Sequence, residues 1–153
     1  MTQHLKIGDL ARRTQCAAET IRYYEREGLL PPTSRTAGNY RVYGAAHVER
    51  LSFIRNCRSL DMALDEIRQL LRVRDLPREN CQEAHRLLDE HIAHVRTRIS
   101  ELQDLERQLK ALRRECRSAQ EDKECGILNG LGRRKAAGSD KRSVPHVRGA
   151  HRG

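Results

Sequence analysis

The sequence holds no tryptophan, one phenylalanine and four tyrosines among 153 residues. Tyr23, Tyr24, Tyr40, Tyr43 and Phe53 all fall before residue 54. Everything beyond must pack with leucine, isoleucine and valine. Hydrophobic residues make up only 37% of the chain and charged ones 33%. That balance is too lean for a large globular core and suits helices that each bury one stripe. No apolar run approaches a membrane span, so no membrane partner is expected. MTQHLKIGDL lacks the apolar segment of a secretion signal. A cytoplasmic protein is expected, with its thiols kept reduced. Five cysteines, an odd number, also fit a disulfide framework poorly. Packing, redox chemistry and metal binding stay open to them.

Acidic residues are outnumbered, 21 against 30 Lys and Arg, for a net charge of +9. The excess is uneven. Residues 1–75 carry +4, residues 76–131 carry −1 and residues 132–153 carry +6. Most of it therefore sits in a tail, which supports an anionic partner only weakly. The same boundaries divide the chain by pattern. Residues 1–75 read as a winged helix-turn-helix domain, 76–131 as a dimerisation helix with a cysteine-bearing loop, and 132–153 as a disordered basic tail. The expected fold class is mainly α.

Residues 7–13 read as a short helix with Ile7, Leu10 and Ala11 on one face. After a break at 14–17, residues 18–27 form a second helix, ended by Gly28 and then Pro31 and Pro32. Residues 35–43 centre on Gly38 and Asn39 and read as a small hairpin. Residues 44–57 give a third helix with Val48, Leu51 and Ile54 inward, and residues 62–74 a fourth. Two short helices, a tight break and a hairpin describe a winged helix-turn-helix, whose second helix enters the major groove. Glu19, Thr20, Arg22 and Tyr23 on that helix can reach base edges or phosphates, and Tyr40, Arg41 and Tyr43 on the hairpin can grip the backbone. By helical spacing Tyr24 belongs to the core. The pattern alone also admits a protein-binding module.

The longest element runs over residues 80–115. Leu88, Ile92, Val95, Ile99, Leu102, Leu105, Leu109 and Leu112 recur at steps of three and four, a coiled-coil seam with one discontinuity at Leu105. Cys81 stands at its start. RECRSAQEDKEC, residues 114–125, places Cys116 and Cys125 at its end, followed by a short apolar turn over 126–131. One straight helix would separate Cys81 from Cys116 by roughly 50 Å at about 1.5 Å per residue. The two cannot hold one ion within a chain. An antiparallel pair of such helices would bring Cys81 of one subunit to Cys116 and Cys125 of the other, giving a twofold dimer two equivalent sites. Asn80 is a good N-cap, and the helix N-terminus it begins favours the thiolate that binds metal. Three thiolates without an obvious fourth ligand select soft metals, and a C-x8-C gap is too long for a structural zinc site. Incidental cysteines in a coiled-coil adaptor remain the alternative on spacing alone. A thiol enzyme lacks support, with no C-x-x-C, no nucleophile elbow and no β-sheet framework, so no catalytic residue is expected. Cys16 and Cys57 read as packing residues. His91 and His94, three apart, could share a face, though a ligand role for them or for His85 is the weaker reading.

IGDLARRTQCAAETIRYYEREGLLPP and GNYRVYGAAHVERLSFIRNCRSLDMALDEIRQLL resemble the DNA-binding domain of the MerR family of transcriptional activators, with the likeness running from residue 5 to about residue 131. The resemblance implies a homodimer on a palindromic double-stranded promoter site, with residues 8–27 as the helix-turn-helix. It implies an over-long promoter spacer that metal binding bends and untwists, so that RNA polymerase reads both elements and heavy-metal resistance genes are induced. In the family, cysteines matching Cys81, Cys116 and Cys125 mark branches that sense mercury, lead or cadmium. GNYRVYGAAHVERLSFIRNCRSLDM and LLDEHIAHV are similar to the lead- and cadmium-responsive branch, and the long C-x8-C favours Pb(II) as effector over Cd(II), Hg(II) or Zn(II). A redox or organic-ligand sensor is the remaining alternative within the family. In some cadmium sensors a His-rich tail forms an accessory site. His146 and His151, amid seven cations, are a poor match for one. Family members often carry Ser or Thr at the position of Ala63, three before Glu66. Alanine cannot cap, so Asp61 is expected to start that helix instead.

Overall fold

The computed structural model describes residues 4–77, 81–116 and 125–135. Its elements are α1 Ile7–Thr14, α2 Ala18–Arg26, β1 Ser34–Arg35, β2 Arg41–Val42, α3 Ala45–Ser59, α4 Leu64–Arg74, α5 Cys81–Arg114 and α6 Gly126–Arg133. It is mainly helical, and the chain divides into two compact units after Arg96.

In the first unit, α1 and α2 are joined by a turn that the backbone closes on itself. Gln15 takes a left-handed conformation and the Cys16 N–H donates to Ala11 O. The Thr14 hydroxyl turns back to Leu10 O, so a buried polar side chain is satisfied inside its own helix. Gly28, at φ +70°, ends α2 and lets the Leu29 N–H reach Tyr24 O. The hairpin pairs Ser34 with Val42 and Arg35 with Arg41, and its turn needs Asn39 at φ 65°. Leu10, Ile21, Leu51, Ile54 and Ile67 are fully buried, and Tyr24 joins them as its spacing requires. Cys57 lies in this core and Cys16 packs against it, in keeping with their reading as packing residues.

Three details differ from expectation. Asp61 does not cap α4. It sits at φ 61° with its N–H on Arg58 O, closing α3. Ala63 is the N-cap, and the Glu66 carboxylate reaches back to the Ala63 N–H at 2.8 Å. The half of a capping box that needs no side chain at the cap is thus kept. The residues after Cys125 form helix α6 rather than a turn. Three glycines in GILNGLGR hid it from propensity. A Cβ on Gly126 would collide with the Glu115 carbonyl, and one on Gly130 with the Glu115 carboxylate and Leu112. Close approach to the end of α5 is what those glycines permit. Helix also continues through Gly132 and Arg133, where disorder was expected. The remainder of that expectation, and Asn80, lie outside the described residues.

Helix α5 is continuous over 34 residues. Leu87 and His91, four apart, are buried. The seam lies on another face and stays open, with Leu88, Ile92, Val95, Ile99, Leu102, Leu105 and Leu109 between 41% and 55% exposed. Among the described residues, no helix is long and apolar enough to cross a membrane.

Candidate nucleic-acid interface and metal ligands

Helix α2 turns Ile21 and Tyr24 into the core and leaves Glu19, Arg22 and Tyr23 exposed, with Thr20 half-buried. The Arg26 guanidinium lies 6.0 Å from the Tyr23 ring, which steadies one edge of this face. Beside it, Lys6, Ile7, Arg22, Arg35, Asn39, Tyr40, Arg41 and Tyr43 line a hollow of about 500 Å³. Four cations therefore surround one opening between α1, α2 and the hairpin. That arrangement suits a polyanion, because clustered guanidinium and ammonium groups gain most from phosphate oxygens. Lys6 and Arg35 were not among the residues that sequence reasoning selected. Only their basic character could have flagged them, since the grouping depends on how the hairpin folds back. Arg35 is held by the Asn39 side chain at 3.0 Å.

Tyr40 is 72% exposed and Arg41 is exposed, but Tyr43 is different. It is 1% exposed, and its backbone exchanges two hydrogen bonds of 2.9 Å with Leu5. Its hydroxyl donates to Glu25 Oε1 at 2.5 Å, while Arg41 Nη1 lies 3.4 Å from Glu25 Oε2. Burial and then the Glu25 carboxylate push the Tyr43 hydroxyl up to about 12, so it stays protonated and donating. His47 packs edge-on to the Tyr43 ring, accepts the Gly44 N–H at Nδ1 and, through Nε2, meets Pro31 O at 3.1 Å.

The three sequence-selected thiols are all exposed. Cys81 is the first residue of α5, Cys116 stands just past the last, and Cys125 is the N-cap of α6. Cys81 belongs to the first unit and the other two to the second. Cys16 and Cys57 are packed inward, and burial pushes both of those thiols up and away from the thiolate. Three accessible thiols at helix ends fit a soft ion, by the chemistry of the donor set.

Among the described residues, one group of three potential ligands comes together within the chain. It is Glu66, His91 and His94, whose ligand atoms all lie within 4.8 Å of one another. His91 Nδ1 and His94 Nδ1 stand 3.0 and 3.1 Å from Glu66 Oε1. His91 Nε2 meets Leu60 O at 2.9 Å. The i, i+3 spacing of the two histidines was legible in sequence, but Glu66 comes from α4 and only the fold supplies it.

Comparison with known proteins finds matches along most of the chain. Residues 5–73 match the family model of MerR helix-turn-helix regulatory proteins, and residues 48–112 match the model described as MerR, DNA binding. The chain is 49% identical over 118 residues to the "HTH-type transcriptional regulator ZntR homolog" of Haemophilus influenzae, covering 77% of this chain and 87% of that one. Among solved structures it is similar to the transcription regulator PbrR691 from Ralstonia metallidurans in complex with lead(II), at 53% identity and TM-score 0.74, covering 83% of this chain and 98% of that one. It is also similar to the regulator MerR from Bacillus megaterium in complex with mercury(II), at 32% identity and TM-score 0.65, covering 84% and 99%.

Proposed function

The chain belongs to the MerR family of helix-turn-helix regulatory proteins, and on that premise we propose that it is a homodimeric, lead-responsive activator of transcription. It binds double-stranded promoter DNA through Glu19, Thr20, Arg22 and Tyr23 of α2 and through Tyr40 and Arg41 of the hairpin. Pb(II) is held by Cys81 of one protomer with Cys116 and Cys125 of the other. The observation that carries this reading is the open seam of α5, flanked by exposed thiols. Seven large apolar side chains in register along a helix cost free energy in water and call for a matching helix. The likeness to PbrR691, a structure that contains lead(II), supports Pb(II) as the effector.

The mechanism follows from linkage. A metal whose ligands come from two protomers favours the dimer geometry that brings them together and disfavours the other. The change passes along α5 to the DNA-binding units, which deform the promoter and make it legible to RNA polymerase. Cys81, Cys116 and Cys125 would supply the thiolates, and the ion would act only as the soft acceptor that joins them. Resistance to the same metal is the expected output of the regulated genes. Removing a thiolate should therefore cost induction and leave DNA binding.

One observation favours a second reading of the effector. Glu66, His91 and His94 offer nitrogen and oxygen donors, which suit Zn(II) or Cd(II) better than Pb(II). Both readings meet in one experiment, titration of the reduced dimer with Pb(II), Cd(II), Hg(II) and Zn(II) in competition. One Pb(II) per protomer is expected, with sulfur-to-metal charge-transfer absorption that Cys81→Ser abolishes. Mixed dimers of Cys81→Ser and Cys116→Ser protomers should regain one intact site. Tight Pb(II) binding by the Cys81→Ser homodimer would sink the shared site.

A further inference from the structure

We propose that Glu25 is a positioning residue for phosphate binding, acting through Tyr43 and Arg41 to set the hairpin against the recognition helix. The inference rests on the DNA-binding reading above. Glu25 lies in the last turn of α2 with its side chain only 13% exposed. Behind a hollow ringed by four cations, a carboxylate repels the phosphates that those cations attract. Its location needs a reason. Each of its oxygens has a separate duty. Oε1 accepts the Tyr43 hydroxyl at 2.5 Å, and Oε2 faces Arg41 Nη1 at 3.4 Å.

Tyr43 is the point where three segments meet. Its backbone is bridged to Leu5 ahead of α1, its ring packs on His47 of α3, and its hydroxyl is tied to α2. A buried hydroxyl on a carboxylate is a strong, directional bond, and breaking it leaves a buried polar group. The tie therefore fixes the angle between hairpin and helix. It also takes the Tyr43 hydroxyl out of reach of DNA, so Tyr43 works as a strut rather than as a phosphate ligand. Arg41 gains the complementary role. One edge of its guanidinium is held by Glu25, while the exposed remainder still offers N–H groups to a phosphate. A pre-aimed arginine loses less freedom on binding than a loose one.

The test measures DNA affinity against KCl concentration for wild type, Arg41→Ala, Glu25→Gln and Tyr43→Phe. The probe is a duplex that the wild-type protein selects from a random-sequence pool. Arg41→Ala should lower the slope of log K against log salt by about 0.9 for each protomer engaged. Glu25→Gln should lose the same slope and bind about tenfold more weakly, although it removes a negative charge. The Glu25→Gln, Arg41→Ala double variant should lose less than the two single losses combined. Tyr43→Phe keeps the ring in the core and should weaken binding non-additively with Glu25→Gln. Glu25→Gln binding as tightly as wild type or more tightly, with an unchanged slope, would overturn the inference. Should Glu25→Gln fail to fold, additive effects of Tyr43→Phe and Arg41→Ala would overturn it equally. Failure of the wild type to enrich any duplex would remove the DNA-binding reading itself, a separate result.

Discussion

His91 Nδ1 lies 3.0 Å from the Glu66 carboxylate, and its other ring nitrogen lies 2.9 Å from a backbone carbonyl. Both partners accept hydrogen bonds, so the site favours an imidazole that carries a proton on each nitrogen. Burial opposes that charge, but the Leu60 and Glu66 bonds outweigh it and hold His91 above the ordinary histidine range. Burial likewise opposes the Glu66 charge, and the Ala63 N–H with the two histidines outweighs it, leaving the carboxyl below its usual range. A raised histidine stabilises fully below its unfolded pKa and loses that contribution as pH rises through the folded value. A depressed carboxylate stabilises fully above its unfolded pKa and loses it as pH falls. The pair should thus contribute most between about pH 4.5 and 6.5. In chelator-treated protein, denaturant unfolding should show His91→Leu about 1–3 kcal/mol less stable in that window. The gap should narrow as pH climbs beyond it. A gap independent of pH would refute the charged imidazole.

The cysteines should separate by burial. Cys57→Ala empties part of a packed core and should lower stability by about 1 kcal/mol while leaving metal stoichiometry unchanged. Cys81→Ser, on an exposed thiol, should do the reverse. Thermal melts and metal titrations of the two variants side by side distinguish them. Loss of metal in Cys57→Ala would place Cys57 among the ligands.

A charge placed on the open seam should act on assembly rather than folding. Leu102 is 49% exposed. Leu102→Glu is expected to give a helical monomer by sedimentation, and to lose thiol-dependent metal binding with it. A dimer that survives the change would place the interface elsewhere.

Gly126→Ala puts a methyl group against the backbone of Glu115, which cannot move aside as a side chain could. Helix α6 should be displaced and Cys125 with it. Weakened Pb(II) affinity, with DNA affinity unchanged, is the expected result. Metal binding as tight as wild type would show that α6 takes no part in holding Cys125.

Periodicity and punctuation carried much of the architecture. Gly28 and the prolines stop α2, the Asn39 turn makes the hairpin, and steps of three and four mark the seam. These are local signals, set within a few residues by φ, ψ and side-chain spacing, and they survive in a bare sequence. The length of α5 likewise ruled out a thiol site closed by one straight helix, because rise per residue is fixed.

What escaped the sequence were meetings between distant segments. Helix α6 is weak by propensity and depends on contact with Glu115. Glu66 joins His91 and His94 only because α4 packs near the start of α5. Tyr43 reads as an exposed wing residue until folding buries it and commits its hydroxyl to Glu25. A tyrosine in a polar hairpin carries no mark of which way it points. That choice depends on whether burying the ring is favourable and whether the hydroxyl finds an acceptor, and both depend on segments far away in the chain. Sequence alone thus determined most of the elements, α6 and the cap of α4 excepted, through local geometry. Tertiary structure decided which polar groups face water and which face each other, because desolvation and pairing are settled only when distant surfaces meet.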